Sequence, residues 1–543
     1  MSRSTSRTAP GRRLSQLRQV AQFCHRHRYS VSLGLEAMAQ TQSSAQHSAQ
    51  SSKHPSAHQP IVESSKPSDP ERSRLASNPA GLSIGIVGAG FAGLACGYEL
   101  QQHGVRAEIF EASDRTGGRC WSMGGSFGDT DLFPGQVIER GGELIDSQHH
   151  QLLRYAQEFG LLVEDLTTGP GDWTFHFKGD RVKEQAVVEE YLDFLQHIDP
   201  DLKRLSPEPT AWKHTDADRA LDRISLAEYL EKYDVGDLAK GYINASYQGE
   251  FGFGLADQTC LHFLLMNLDS LHNPLEIFSD ERYHLTGGNE QITRCLSDRL
   301  SDQIHLQHPL VRVSRTSAGL IALTFDRGGT PLVKTFDAVV LTVPFPALRH
   351  VELDPNLNLP AWKRNAIDQL DNGAQVKMML GFTGRPWLEQ GSNGVSHSDL
   401  PYHQVTWESN PTCASDQHST LVNLASGQLG SSLKTDDFQQ DAQRFLSNLD
   451  TIYPGAENSV RRDRSGHICG HIEPWITNPW SQGAYLCYRP GQFTAFTGLE
   501  GKSVENLFFA GEHTHSFYAW QGFLEGAALS GIETAQKILN CKR

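Results

Sequence analysis

Residues 83–122 read SIGIVGAGFAGLACGYELQQHGVRAEIFEASDRTGGRCWS, and their order decides the fold. Ile84, Ile86 and Val87 form a short apolar strand that runs into Gly88-Ala89-Gly90-Phe91-Ala92-Gly93. A helical segment follows, then a second strand through Ala107, Ile109 and Phe110 that ends on Glu111. In such a unit Gly88 makes the tight turn, Gly90 lets the backbone approach a pyrophosphate, and Gly93 lets helix and strand pack closely. The helix N-terminus offers free N–H groups and partial positive charge to phosphates. Glu111 stands 18 residues past Gly93, where an acid can grip a ribose hydroxyl. The stretch predicts a dinucleotide site. Its acid disfavours a 2′-phosphorylated nicotinamide cofactor, whose phosphate it would repel.

Directly after the acid come Arg115-Thr116-Gly117-Gly118-Arg119 and then Ser122. Guanidinium forks can pair bidentately with a diphosphate while the glycine pair clears space for it. With this RxGGRxxS run the chain resembles the flavin-dependent amine oxidase superfamily, which holds monoamine, polyamine and L-amino acid oxidases. The resemblance extends from about residue 83 to 540 and implies FAD.

A second block supports it over 400 residues later. The segment NLFFAGEHTHSFYAWQGFLEGAALSGIETAQKIL, from Asn506, is similar to that family's C-terminal flavin motif. That resemblance implies that a buried strand delivers Gly511 and Glu512 to the ribityl-phosphate region. The following helix, opened by Gly522-Phe523-Leu524-Glu525-Gly526-Ala527, aims its N-terminus at the flavin, with Gly526 and Gly531 allowing close packing. The resemblance assigns cofactor contacts to Gly88, Gly90, Gly93, Glu111, Arg119, Val311, Gly511, Glu512 and Leu524. It places Tyr485 as one wall of an aromatic cage, with Phe523 opposite and Trp520 as a substitute; ring faces can orient an amine and attract a cation. Ala484 stands where covalently flavinylated relatives carry cysteine, so FAD is expected to bind non-covalently. Lys377 lies in the apolar strand Val376–Phe382. The resemblance makes it the lysine that holds a water against flavin N5. Lys377→Met is then expected to leave folding near parental and to slow one or both half-reactions.

Bulk properties set the frame. A chain of 543 residues can form more than one domain. It contains no run of 18 apolar residues, so no stable membrane insertion is expected. The net charge of −15 is uneven: residues 1–80 carry about +7 and the remainder about −22. An acidic body disfavours nucleic acid and suits cationic substrates. Nine cysteines show no CxxC, and 24 histidines form no HExxH, so no metal site is expected.

The fold class expected is α/β: a discontinuous Rossmann-like FAD-binding domain with an α+β substrate-binding domain. Residues 1–80, with seven arginines and no acid in the first 35, read as a disordered or targeting-like segment. The compartment stays open. FAD-binding parts are expected at 81–165, 281–345 and 481–543. Substrate-domain parts are expected at 166–280, mostly helical, and 346–480. Ser225 reads as an N-cap, and ADQTCLHFLLMNL as an apolar helix.

The reading that follows is an L-amino acid oxidase. Hydride passes from substrate to flavin, and the products are a keto acid, ammonia and hydrogen peroxide. A polyamine or monoamine oxidase is the alternative, then a non-catalytic flavin-binding module. GGELIDSQHH, YQGEFG and ERYHLTGGNEQI are similar to a microbial branch of L-amino acid oxidases. The carboxylate-gripping arginine that several such enzymes place after the Gly-Gly run is absent; Leu144 and Ile145 follow Glu143. The partners expected are a small amine or amino acid and oxygen. A homo-oligomer is compatible with the sequence.

Overall fold

The computed structural model describes residues 81–128, 131–272, 279–412, 417–515 and 520–540. The segment expected to be disordered or targeting-like, 1–80, lies outside them.

Three layers form around the strand Ile84–Val87. It sits at the centre of a five-stranded parallel sheet in the order Leu507–Phe509, Ala338–Leu341, Ile84–Val87, Glu108–Phe110, Ile304–His305. Strands buried on both faces read as continuous apolar runs, and alternate side chains serve opposite layers. Ile84, Ile86, Ala338 and Val340 pack under the helices Phe91–Gln102 and Leu524–Asn540. Val87, Val339 and Leu341 turn the other way, onto the sheet formed by Leu310–Arg315, Ile321–Arg327 and Thr330–Phe336. The sheet therefore draws strands from residues 84 to 509, the discontinuous Rossmann-like α/β arrangement expected.

A seven-stranded mixed sheet builds the second half. Its order is Gly470–Pro474, Val376–Thr383, His418–Ala425, Val405–Glu408, Ser392–Ser398, Asp172–Phe177, Asp180–Val182. In Val376–Thr383 the residues 376, 378, 380 and 382 enter a core under the helix Phe438–Ile452. Lys377 and Met379 therefore occupy the opposite face.

The helices Glu184–Leu202, Asp237–Phe251 and Cys260–His272 make the described part of the block 166–280 largely helical. The serine cap is present: Ser225 Oγ accepts from Glu228 N–H at 3.1 Å, and the Glu228 carboxylate accepts from Ser225 N–H at 2.8 Å. Two strands interrupt the block where the sequence reading had none, Asp172–Phe177 and Asp180–Val182. Trp173, Phe175 and Phe177 alternate in the first, and Lys178 and Gly179 turn the chain with φ of 56° and 84°. This is a two-residue hairpin signature, with lysine in place of the usual asparagine.

The terminal helix also fixes its neighbour. Glu525, 2% exposed, accepts from the N–H groups of Gln151 and Leu152 at 2.8 and 2.9 Å, and so caps the helix His150–Phe159, whose own N-cap His149 contributes no side-chain bond. Glu525→Ala leaves those donors buried and unmet. A loss of about 1–3 kcal/mol in denaturant unfolding is expected; an unchanged midpoint would contradict this capping role.

Candidate active site

One cavity of about 2130 Å³ runs from the glycine turn to the seven-stranded sheet. Ordinary small-ligand pockets hold roughly 300–1,000 Å³. This one has room for a dinucleotide and a second molecule.

The glycine turn lies at one end of this cavity. Gly88 takes φ of 103°, and Gly90 is the extended residue that opens the helix Phe91–Gln102. A Cβ at Gly90 would find its nearest protein atom 3.9 Å away, so the space it leaves belongs to the cavity. Gly93 lies behind this cradle, where a Cβ would overlap the carbonyl oxygen of Gly88. Glu111, 8% exposed, accepts from Ala89 N–H at 2.8 Å with one oxygen; the other accepts from Ser113 N–H and Oγ at 2.9 and 2.8 Å. It lines the cavity and ties the glycine turn to the following loop.

Arg115 turns inward on its own loop. It donates to the carbonyls of Thr116 and Gly118 and stacks on Trp121, with its Cζ 3.7 Å from the ring centroid. Arg119 Nη1 stands 2.9 Å from Glu512 Oε1, off the line a hydrogen bond needs. Glu512 is 6% exposed, and neither of its oxygens accepts a hydrogen bond among the described residues. Buried acceptors without donors are costly. Hydroxyls of a polyol chain would satisfy them. Gly511, with φ of 138°, and Leu524, first residue of the terminal helix, complete this wall. The residues present therefore fit a flavin dinucleotide.

Val311 departs from the expectation. Its side chain is 41% exposed and lies outside the cavity wall, which Leu310 and His308 supply instead. The strand shifts register between Leu310 and Arg312, so any contact from Val311 falls to its main chain.

Tyr485 and Phe523 both line the cavity. Trp520 does not; its ring lies 5.5 Å from that of His149, which also stands 5.2 Å from Phe523 and so backs that wall. Burial, then the charge of Glu250, pushes the Tyr485 hydroxyl well above the usual phenol range, so it stays protonated. Ala484 is at the wall, whereas Cys487 is 1% exposed within a buried strand.

Lys377 is neither free nor snorkelling. It is buried, and its ammonium donates to Glu139 O at 2.6 Å, Gly141 O at 3.1 Å and Glu143 Oε2 at 2.6 Å. Three acceptors use three protons. Glu143 accepts from Ser409 Oγ at 2.8 Å with its other oxygen. A water held by this lysine would have to displace one of these partners.

The structure adds residues that the sequence reading missed. Glu250, in the last turn of Asp237–Phe251, lines the cavity with no hydrogen-bond or ion-pair partner among the described residues. Burial, then Glu281 and Asp146, pushes its carboxyl up to about 8. Ser246 stands one turn earlier, and Gln375 lies beside the same helix end. The i, i+4 spacing of Ser246 and Glu250 was the available signal. Ten Asp and Glu residues line the cavity against four Lys and Arg, which makes it a field for cations. Among the described residues no helix is long and apolar enough to cross a membrane, and no cluster of three or more His, Cys, Asp or Glu could hold a metal ion.

Comparison with known proteins agrees with this geometry. Residues 91–539 match the family described as flavin containing amine oxidoreductase, and the chain belongs to that family. The family implies a flavin cofactor and small amine substrates. An L-amino-acid oxidase of Bungarus fasciatus is 23% identical over 483 residues, covering 85% of this chain and 87% of that protein. The human flavin-containing amine oxidase B is 21% identical over 472 residues, covering 84% and 85%. A solved structure of wild-type putrescine oxidase bound to putrescine shares the fold with a TM-score of 0.71 at 21% identity, covering 84% of this chain and 99% of that one.

Proposed function

We propose that this chain oxidises a small amine that lacks a carboxylate, using non-covalently bound FAD. The observation that carries the reading is the continuity of one acid-lined cavity from the glycine cradle to Tyr485 and Phe523. When bound, FAD supplies the hydride acceptor and, with oxygen, the route to hydrogen peroxide. The chain's own residues bind and orient. Gly88, Gly90 and the helix N-terminus would hold the diphosphate, and Glu512 the polyol hydroxyls. Tyr485 and Phe523 would flank the amine-bearing carbon. Lys377, fixed by Glu143, holds the loop 139–141 in place and would thereby shape the wall that receives the cofactor.

The charges support a substrate without a carboxylate. Of the four cations that line the cavity, Arg119, Arg282 and Lys377 are each paired with an acid, Glu512, Asp165 and Glu143, and Arg115 donates to the carbonyls of its own loop. The L-amino acid assignment is the second reading, favoured by relatives of that activity matched over most of their length. It requires one of those pairs to open for the substrate carboxylate.

The test uses the purified full chain. Acid precipitation is expected to release FAD into the supernatant, because Ala484 offers no thiol. Peroxide release is then measured with simple amines, polyamines and L- and D-amino acids. Activity restricted to L-amino acids would replace the lead with the second reading. Flavin that no amine reduces anaerobically would leave the non-catalytic module.

A further inference from the structure

We infer that His308 recognises the adenine base of FAD by accepting a hydrogen bond from its exocyclic amino group, and so makes this site select an adenine dinucleotide. The inference rests on the FAD reading above and deepens it.

The sheet sets the place of the base. In a Rossmann-like sheet a dinucleotide lies across the carboxyl ends of the strands, and the acid that ends the second strand takes the ribose of the adenosine half. Here that strand, Glu108–Phe110, runs into Glu111, and its outer neighbour is Ile304–His305. The base then falls at the carboxyl end of Ile304–His305, where the chain continues to His308. Two main-chain bonds fasten this continuation to the acid and its loop. His308 N–H donates to Glu111 O at 2.8 Å, and Gln307 N–H to Ser113 O at 2.9 Å. Phe110, Leu310 and Val343 line the cavity beside His308 and give a flat base apolar walls.

The imidazole is set to accept. Its Nδ1 stands 2.6 Å from Leu306 O. A carbonyl oxygen accepts and cannot donate, so the ring proton sits on Nδ1 and Nε2 keeps its lone pair. Nε2 has no partner among the described residues, and it is not sealed from the cavity that the ring lines. Packing holds the ring in this orientation. It is 9% exposed, and the rings of Phe110, Phe325 and His305 stand 5.8, 5.9 and 5.8 Å away, tilted by 56°, 77° and 58°. An acceptor so placed is costly without a donor. The amino group of adenine supplies one. A 6-oxo purine would set its carbonyl oxygen against Nε2, acceptor against acceptor.

The FAD-containing full chain is equilibrated with mixtures of FAD and its hypoxanthine analogue, whose base carries a carbonyl in place of the amino group. The bound dinucleotides are then released and separated by chromatography. The parent is expected to prefer FAD by about tenfold or more, because the analogue leaves a buried acceptor unmet. His308→Phe is expected to lower that preference at least about threefold, and His308→Gln, whose amide oxygen accepts, to keep part of it. Phenylalanine fills the same space between Phe110 and Phe325, so the variant should fold. A second measurement needs no variant: ADP is expected to displace FAD from the parent at lower concentration than inosine diphosphate does. Equal displacement overturns the inference, and so does an unchanged preference in His308→Phe. A chain that holds neither flavin dinucleotide nor ADP refutes the FAD reading itself, and the inference with it; FAD held without preference for its base refutes the role of His308 alone.

Discussion

Lys377→Met is expected to destabilise the protein by about 3–5 kcal/mol, because it strands a buried carboxylate. The lysine and Glu143 side chains are 6% and 3% exposed and meet at 2.6 Å. Methionine keeps the stem and removes the ammonium. Glu143 then retains only Ser409 Oγ, and the carbonyls of Glu139 and Gly141 each lose a donor. The sequence reading, in which this lysine faces a water and its loss spares folding, is revised by that pairing. The double variant Lys377→Met/Glu143→Gln removes the charge imbalance and is expected to recover more than half of the loss. A denaturant double-mutant cycle reads the coupling directly. A single-variant loss below about 1 kcal/mol would show that water or a neighbour compensates Glu143.

The largest effect is expected from Gly93→Val. A Cβ at Gly93 would overlap the carbonyl oxygen of Gly88 and press on its carbonyl carbon 3.1 Å away. Both atoms are backbone, so no rotamer change relieves the clash. The helix Phe91–Gln102 must move off the strand, and on its other side Gly531 has no slack, because its own Cβ position is filled by Ala92 O and Cys96 N. We expect a loss of at least about 3 kcal/mol and an insoluble or flavin-free protein. Gly90→Ala is the contrast. Its Cβ is free of protein atoms out to 3.9 Å, so stability should change by less than about 1 kcal/mol while flavin content falls. Flavin per chain and unfolding midpoints for the two variants separate packing from cofactor space. Equal flavin loss with equal destabilisation would mean that the cradle has no room of its own.

The candidate site was legible unevenly. The glycine turn, Glu111 and the terminal strand–helix could be read because their chemistry recurs at fixed local spacing. Tyr485 and Phe523 reach the cavity wall from segments that the same resemblance singled out. Trp520 stands behind that wall against His149, a contact set by tertiary packing. Val311 could be placed on a strand, but a register shift decides what each neighbouring side chain faces. The hairpin 172–182 was missed because its turn uses lysine at a positive φ. The acids of the cavity were invisible as a group: Glu143, Glu250 and Glu512 come from unrelated stretches and share no period.

By itself, the amino-acid order determined the α/β class and the places of the glycine turn and the terminal strand–helix. Each rests on short-range rules, namely alternation along strands, glycines at a turn and an open helix end. Only the tertiary structure decided which charges are spent and which are free. Lys377 and Glu143 lie 234 residues apart, and Gln375 and Gly249 lie 126 apart. Folding brings the first two together and neutralises both. It brings the second pair beside Glu250, whose carboxyl burial pushes up to about 8 with no cation paired to it among the described residues. A charge's role depends on its partner and on the dielectric around it, and both are properties of the packed chain.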